Sequence, residues 1–296
     1  MRSFTSFRFC IFLLCLVSAQ AIANNTVESS LPKGKHQFTF SQWAVTPLEV
    51  WAYTPSEYNN NSKVLFVMHG TNRDADRYRD EWTALAEQHN LLLIAAQFTK
   101  ENFPRSLAYN LGNVFATTEF KQVNPKEKWA FSAIEPLFDY VKTKYSNQST
   151  DYLLYGHSAG SQFVHRFIFF VPQARVSKIV TANAGWYTRP DFTIDFPYGL
   201  NNTPVTENDL LAALQKPVVV LLGEADNDPE HPSLRRAAPA MAQGPHRLAR
   251  GYYFYAQAKQ LAEKHNIPFN WQLTTVPEVG HQNGLMAHAA IVSLLN

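Results

Sequence analysis

The chain has 296 residues, 26 basic against 24 acidic, a formal net charge of +2 at pH 7 and two cysteines. A balance this close to neutral gives no electrostatic ground for binding nucleic acid or an anionic membrane surface. The length suits one large α/β domain with a sizeable core better than two small ones.

Residues 1–23 read as a signal peptide. Arg2 and Arg8 form a positive start, Phe9 to Val17 an apolar core too short to span a bilayer with ease, and Ala21-Ile22-Ala23 a small-residue cleavage site. The mature protein is therefore expected to be exported, periplasmic or extracellular, with no stable membrane insertion once the leader is gone. Both cysteines, Cys10 and Cys15, fall inside the leader, so the mature chain can form no disulfide. Residues 24–35 are polar without periodicity and read as a flexible tail, leaving residues 36–296 as a single α/β domain.

That domain opens with His36 to Trp43 and Leu48 to Tyr53, which alternate apolar and polar residues and predict an antiparallel hairpin at a sheet edge. Short, nearly continuous apolar runs follow at Lys63–His69, Leu91–Gln97, Asp151–Gly156, Lys178–Ala182, Pro217–Gly223 and Trp271–Val276, the pattern of strands covered on both faces. Helical stretches lie between or after them at Arg77–His89, Lys126–Tyr145, Ser161–Val171, Tyr252–His265 and Leu285–Leu295. This alternation predicts an α/β fold with a mostly parallel, doubly wound sheet.

The run into Tyr155 ends on Gly156-His157-Ser158-Ala159-Gly160, a G-x-S-x-G with a strand before it and an apolar helix after it. A serine at such a strand-to-helix turn has a strained backbone that pushes its hydroxyl into reach, with the helix N-terminus beneath any developing negative charge. In a doubly wound sheet, ligands bind beyond the C-terminal ends of the strands. Three more of those ends carry fitting chemistry: His69-Gly70-Thr71-Asn72, Gly223 to Asp228, and Gly280-His281.

A serine hydroxyl needs a base to take its proton, and the base needs an acid to hold its tautomer and stabilise its cation. His281 follows the last strand in a glycine turn and is assigned the base. Asp226 is assigned the acid, with Asp228 in the same loop as its rival. The oxyanion of a tetrahedral intermediate would be held by backbone N–H groups of Ala159 and of Thr71 or Asn72. His69 and His157 read as supporting residues. His231, His246, His265 and His288 show none of the close spacings of a zinc site, and the chemistry requires no cofactor.

With these residues in hand, the mature chain resembles the α/β-hydrolase superfamily along nearly its whole length. Its Ser158 pentapeptide, His69-Gly70 turn, Asp226 turn and His281 turn match that family's nucleophile, oxyanion, acid and base positions in the family's order. Within the superfamily it looks most like secreted esterases of the polyhydroxybutyrate depolymerase and feruloyl esterase type, on compact strands and on Tyr109-Asn110-Leu111-Gly112-Asn113. The resemblance implies a secreted serine hydrolase that cleaves a small-molecule or oligomeric carboxylic ester. Thr71 stands where those depolymerases commonly carry a cysteine, and the mature chain has none for their disulfides; both departures argue against action on a solid polymer.

Two loops are candidates for reading the substrate. Ala184 to Tyr198 carries Trp186, Tyr187, Phe192 and Phe196, which could wall an acyl or aryl group or could instead simply pack the loop onto the domain core. Residues 234–250 carry Arg235, Arg236, Arg247 and Arg250, which could grip an anionic end of a substrate, or could instead be a solvated face paired with Asp226, Asp228 and Glu230. A peptidase of the same fold and a non-catalytic binding protein remain the competing readings, since fold alone does not decide function.

Overall fold

The computed structural model describes residues 1 and 31–296. All but Met1 of the expected leader, and residues 24–30 of the expected tail, lie outside the described residues. Strand β1 (Gly34–Phe40) and strand β2 (Leu48–Thr54) alternate covered and exposed positions, as strands with one solvated face do. They pair antiparallel from Gly34↔Thr54 to Phe40↔Leu48. The sheet thus starts earlier than composition indicates. Gly34 and Lys35, expected in the tail, are paired strand residues, and Lys33 Nζ donates to the Ser56 carbonyl at 2.8 Å.

The apolar runs form β3 (Val64–Met68), β4 (Leu92–Gln97), β5 (Tyr152–His157), β6 (Val176–Ala182), β7 (Val218–Gly223) and β8 (Trp271–Val276). Every residue of β3, β5 and β7 is buried. The strands stand in the order β1-β2-β4-β3-β5-β6-β7-β8. β2 joins β4 antiparallel, and all pairings from β4 through β3 to β8 are parallel.

Helices α1 (Ala75–Gln88), α2 (Arg105–Ala108), α3 (Ile134–Tyr145), α4 (Ala159–Phe170), α5 (Glu207–Leu214), α6 (Ala238–Met241), α7 (Arg247–Lys264) and α8 (Asn283–Leu295) fill the connections. Trp82 of α1 and Met286 and Ile291 of α8 share one cluster with Leu65, Tyr155, Val180 and Leu221 of the strands, covering one face of the sheet. Phe66 of β3 meets Phe138 of α3 on the other face. Among the described residues no helix is long and apolar enough to cross a membrane.

The helix expected over Lys126–Tyr145 begins only at Ile134. Two 3-10 turns, Lys126–Lys128 and Ala130–Ala133, precede it, separated by Trp129 in an extended conformation. Trp129 Nε1 donates to the Asn124 carbonyl at 2.8 Å and the Ala130 N–H to the Gly112 carbonyl at 2.7 Å, bonds that continuous helix would forgo. α7, in turn, starts at Arg247, earlier than the expected Tyr252, with the His246 side chain accepting from the Ala249 N–H.

Where β5 hands over to α4 the chain turns within one residue, and the glycines on either side explain how. A side chain on Gly160 would run into the Met68 carbonyl of β3, and one on Gly156 into the Gly160 carbonyl. Helix and sheet therefore approach more closely here than any Cβ allows. Gly160→Ala is expected to lower the free energy of unfolding by about 1–3 kcal/mol, the scale of overpacking a filled site. Urea titration of the variant beside the wild type measures it, and equal midpoints would contradict the close approach.

Candidate active site

The C-terminal ends of β3, β5, β7 and β8 gather four loops at one edge of the sheet. Ser158, between β5 and α4, has φ 58° and ψ −117°, a region L-residues rarely occupy. Its N–H donates to the Ala182 carbonyl of β6 at 3.0 Å, which fixes the turn. Ser158 Oγ lies 2.9 Å from His281 Nε2, and His281 Nδ1 lies 2.7 Å from Asp226 Oδ2. An ionised carboxylate only accepts, so Nδ1 carries the proton and Nε2 is left to accept from the serine hydroxyl.

Asp226 is buried and holds a second partner, Arg247 Nη1, at 3.0 Å, also buried. Burial alone would push the Asp226 carboxyl up; the hydrogen bond and charge of His281, with those of Arg247, outweigh it and hold the carboxyl below its ordinary value of 3.8. Asp228 does not reach His281: it is exposed, and its carboxylate accepts the Glu230 N–H at 2.8 Å. The Asp226 and His281 loops are stitched together by backbone. Ala225 N–H donates to the Val279 carbonyl at 3.0 Å. Asn183, beyond β6, accepts from the Gly223 N–H at 2.8 Å and donates to the Gly280 carbonyl at 3.0 Å.

The turn after β3 is built on His69, which is fully buried. Its Nε2 accepts from the Phe98 N–H at 3.1 Å and its Nδ1 lies 3.1 Å from the Gly70 carbonyl. Burial pushes its pKa down to about 4, so the ring is neutral at pH 7. Arg73 has φ 66° and donates to the carbonyls of Phe98, Phe103 and Arg105, with its guanidinium 4.2 Å from the Tyr109 ring centre. Its donors are thus spent on backbone, and it does not pair with Asp74, which binds Arg77 Nε at 2.7 Å. His157 packs against His281, with ring centres 4.6 Å apart, and burial pushes its pKa well down.

No protein-family model matches the sequence, and neither does any curated protein. Solved structures do. Poly(aspartic acid) hydrolase-1 from Sphingomonas sp. KT-1 is 42% identical over 90% of this chain and 100% of its own, with a TM-score of 0.87. Poly(3-hydroxybutyrate) depolymerase LpqC from Bordetella parapertussis is 32% identical over 88% of each chain, with a TM-score of 0.83. The chain belongs to the α/β-hydrolases, in the branch resembling poly(3-hydroxybutyrate) depolymerases. A fluorophosphonate-binding serine hydrolase from Staphylococcus aureus shares the fold at 15% identity and a TM-score of 0.55.

In this hydrolase two cavities meet at Ser158. The larger, about 640 Å³, is lined by His281, His157, Asn283 and the acidic and basic trio Asp74, Arg77 and Glu81. The smaller, about 330 Å³, is lined by Ala159, Asn110, Gln162, Trp186, Arg235 and Arg247, among others. Thr71 borders both.

Of the expected substrate-reading residues, Trp186 and Arg235 thus reach the site. Tyr187 does not: it is fully buried, stacked on Phe254 of α7 with ring centres 4.3 Å apart, and belongs to the core. Arg236 is exposed and bound to Glu230 at 3.1 Å, away from both cavities. Arg247 and Arg250, expected on a loop, lie on the buried face of α7. Gln162, which no sequence pattern singles out, supports the small cavity; its amide lies between the Asn110 amide and Trp186, and turned one way its oxygen accepts from Asn110 Nδ2 at 2.5 Å, turned the other from Trp186 Nε1 at 3.0 Å.

Replacing Arg247 by Gln would leave the Asp226 carboxylate buried without its cation, at an expected cost of about 3–5 kcal/mol in urea unfolding at pH 7. The pH dependence has a definite sign. Because the folded carboxyl lies below its unfolded value, its contribution is complete above roughly pH 4 and fades as pH falls through the folded value. Without Arg247 the folded value rises toward the unfolded one, so the acid-dependent part of the stability becomes smaller and is spread over a narrower pH range. Coincident acid limbs for variant and wild type would contradict the pairing.

Proposed function

We propose that this hydrolase cleaves carboxylic esters by acylation of Ser158, with His281 as base and Asp226 as its orienting acid. The observation that carries the reading is the unbroken chain from Ser158 Oγ through both His281 nitrogens to Asp226, at 2.9 and 2.7 Å. As Oγ attacks the ester carbonyl, His281 Nε2 takes its proton, then returns it to the departing alcohol. Asp226 stays ionised and stabilises the imidazolium. Water enters with the same base and releases the acid. The oxyanion is held by the N–H groups of Thr71 and Ala159; among the described residues neither donates to another loop's carbonyl. One such donor is worth about 3 kcal/mol in the transition state. The cycle needs no cofactor.

A second reading is cleavage of an amide. The 42%-identical neighbour is a poly(aspartic acid) hydrolase, and a polymer of aspartic acid is joined by amide bonds. The same triad would serve, with His281 protonating a departing amine. Export after cleavage of residues 1–23 is proposed on their sequence pattern alone; the N-terminal sequence of protein recovered outside the cytoplasm tests it.

Hydrolysis of p-nitrophenyl esters from acetate to laurate tests the main reading. Ser158→Ala and His281→Ala are each expected to lower kcat by on the order of 10⁴-fold or more, as removal of one member of an interlocked set does. A wild type that labels with a fluorophosphonate at Ser158 but hydrolyses no ester would move the substrate to amides. Folded protein that does not label would favour a non-catalytic binding role.

A further inference from the structure

We infer, granting the assignment of Ser158 and His281, that the smaller cavity is the acyl site and that Arg235 there binds a carboxylate carried by the acyl group. The side follows from the proton. His281 hands it to the leaving group, so the leaving group must lie in the cavity that His281 lines, which is the larger one. The smaller cavity reaches Ser158 and Ala159 without His281, and receives the part of the substrate that stays on the serine.

The charge follows from the partners of the arginines. Arg247 is matched by Asp226. Arg235 is exposed, donates Nε only to the Tyr198 hydroxyl at 3.1 Å, and has its guanidinium 5.9 Å from the Trp186 ring centre. Among the described residues no carboxylate lies within 4.0 Å of it, and none lines the cavity.

Two buried arginines deepen the excess. Arg166, its guanidinium 4.3 Å from the Trp186 ring centre, donates to the Thr188 hydroxyl and to the Asn110 and Gln162 carbonyls, and its Nη2 has no partner. Arg250 donates to the carbonyls of Gly185, Gly244 and Arg235. Among the described residues neither meets a carboxylate. Fixed positive charge behind an apolar wall attracts an anion more strongly than the same charge in water. Of the two arginines that line the cavity, Arg247 is buried and paired with Asp226, whereas Arg235 is exposed with both Nη atoms left over, and its fork suits a carboxylate. The larger cavity lacks this bias, since Arg77 is bound by both Asp74 and Glu81.

The test compares monoethyl succinate with ethyl butyrate, acyl groups of equal chain length with and without the second carboxylate, by pH-stat at pH 7.5. Wild type is expected to prefer the succinate in kcat/KM. Arg235→Gln should lower the ratio of the two kcat/KM values by about 10- to 100-fold, the scale of a lost charge-assisted pair, with Arg235→Lys between. Added potassium chloride should shrink the wild-type preference. An unchanged ratio overturns the proposal and leaves Arg235 a solvated arginine. Loss of all turnover in Ser158→Ala tests the underlying assignment separately. If neither ester turns over, fluorophosphonate labelling of wild-type Ser158 decides instead: succinate should slow it more than butyrate does, and equal protection overturns the proposal.

Discussion

The structure turns on one backbone conformation, that of Ser158 at φ 58° and ψ −117°. A residue with a Cβ held there costs of order 1–3 kcal/mol, which the surroundings must supply. They do so from three directions. β5 is clamped between β3 and β6, the Ser158 N–H is tied to the Ala182 carbonyl, and every residue of α4 is buried. The bare Cα of Gly160 lets the helix settle against the end of β3. The strain is thus spread into packing that cannot relax locally, and it aims the hydroxyl at His281.

Around this turn, arginine serves as a structural fastener. Arg73, Arg166 and Arg250 each direct several donors at backbone carbonyls of neighbouring loops. A planar guanidinium with five donors can satisfy such carbonyls at once where shorter side chains could not. The cost is electrostatic: burial pushes the pKa of Arg250 down to about 10 and that of Arg166 well down. The protein carries this cost while committing one buried carboxylate, Asp226, to Arg247 and His281. The charge excess near Trp186 is therefore a by-product of how the loops are held, and it is available to a ligand.

Much of this was legible because it depends on local pattern. Continuous apolar runs mark strands covered on both faces, and residues just past their ends had to include the chemistry; Ser158, Asp226 and His281 follow from that rule. What stayed hidden depends on distant partners. Tyr187 reads as a loop aromatic, and only Phe254 shows that it is core. The choice of Asp226 over Asp228 rests on a loop pinned by Val279. That Arg247 lies on the buried face of a helix escaped because α7 is capped by a histidine, an uncommon N-cap, so its first turn reads as loop. α5 is a different case: its capping box, Thr206 with Asp209, was available in the sequence before an apolar run.

The two cavities differ in when they act. A group held on the leaving side contributes to acylation and is gone once the alcohol or amine departs. A group held on the acyl side stays attached through the acyl-enzyme and contributes to both bond-breaking steps. Discrimination between substrates in kcat/KM is set in acylation, and a contact on the acyl side can also affect the rate of deacylation, with no loss of leaving-group tolerance. On the proposed assignment the smaller cavity, with Arg235 and no carboxylate in its lining, is the selective one, and the larger, where Arg77 is held between Asp74 and Glu81 with one negative charge in excess, is the permissive one. This division accommodates an ester and an amide equally, because the atom that differs between them lies on the permissive side of Ser158.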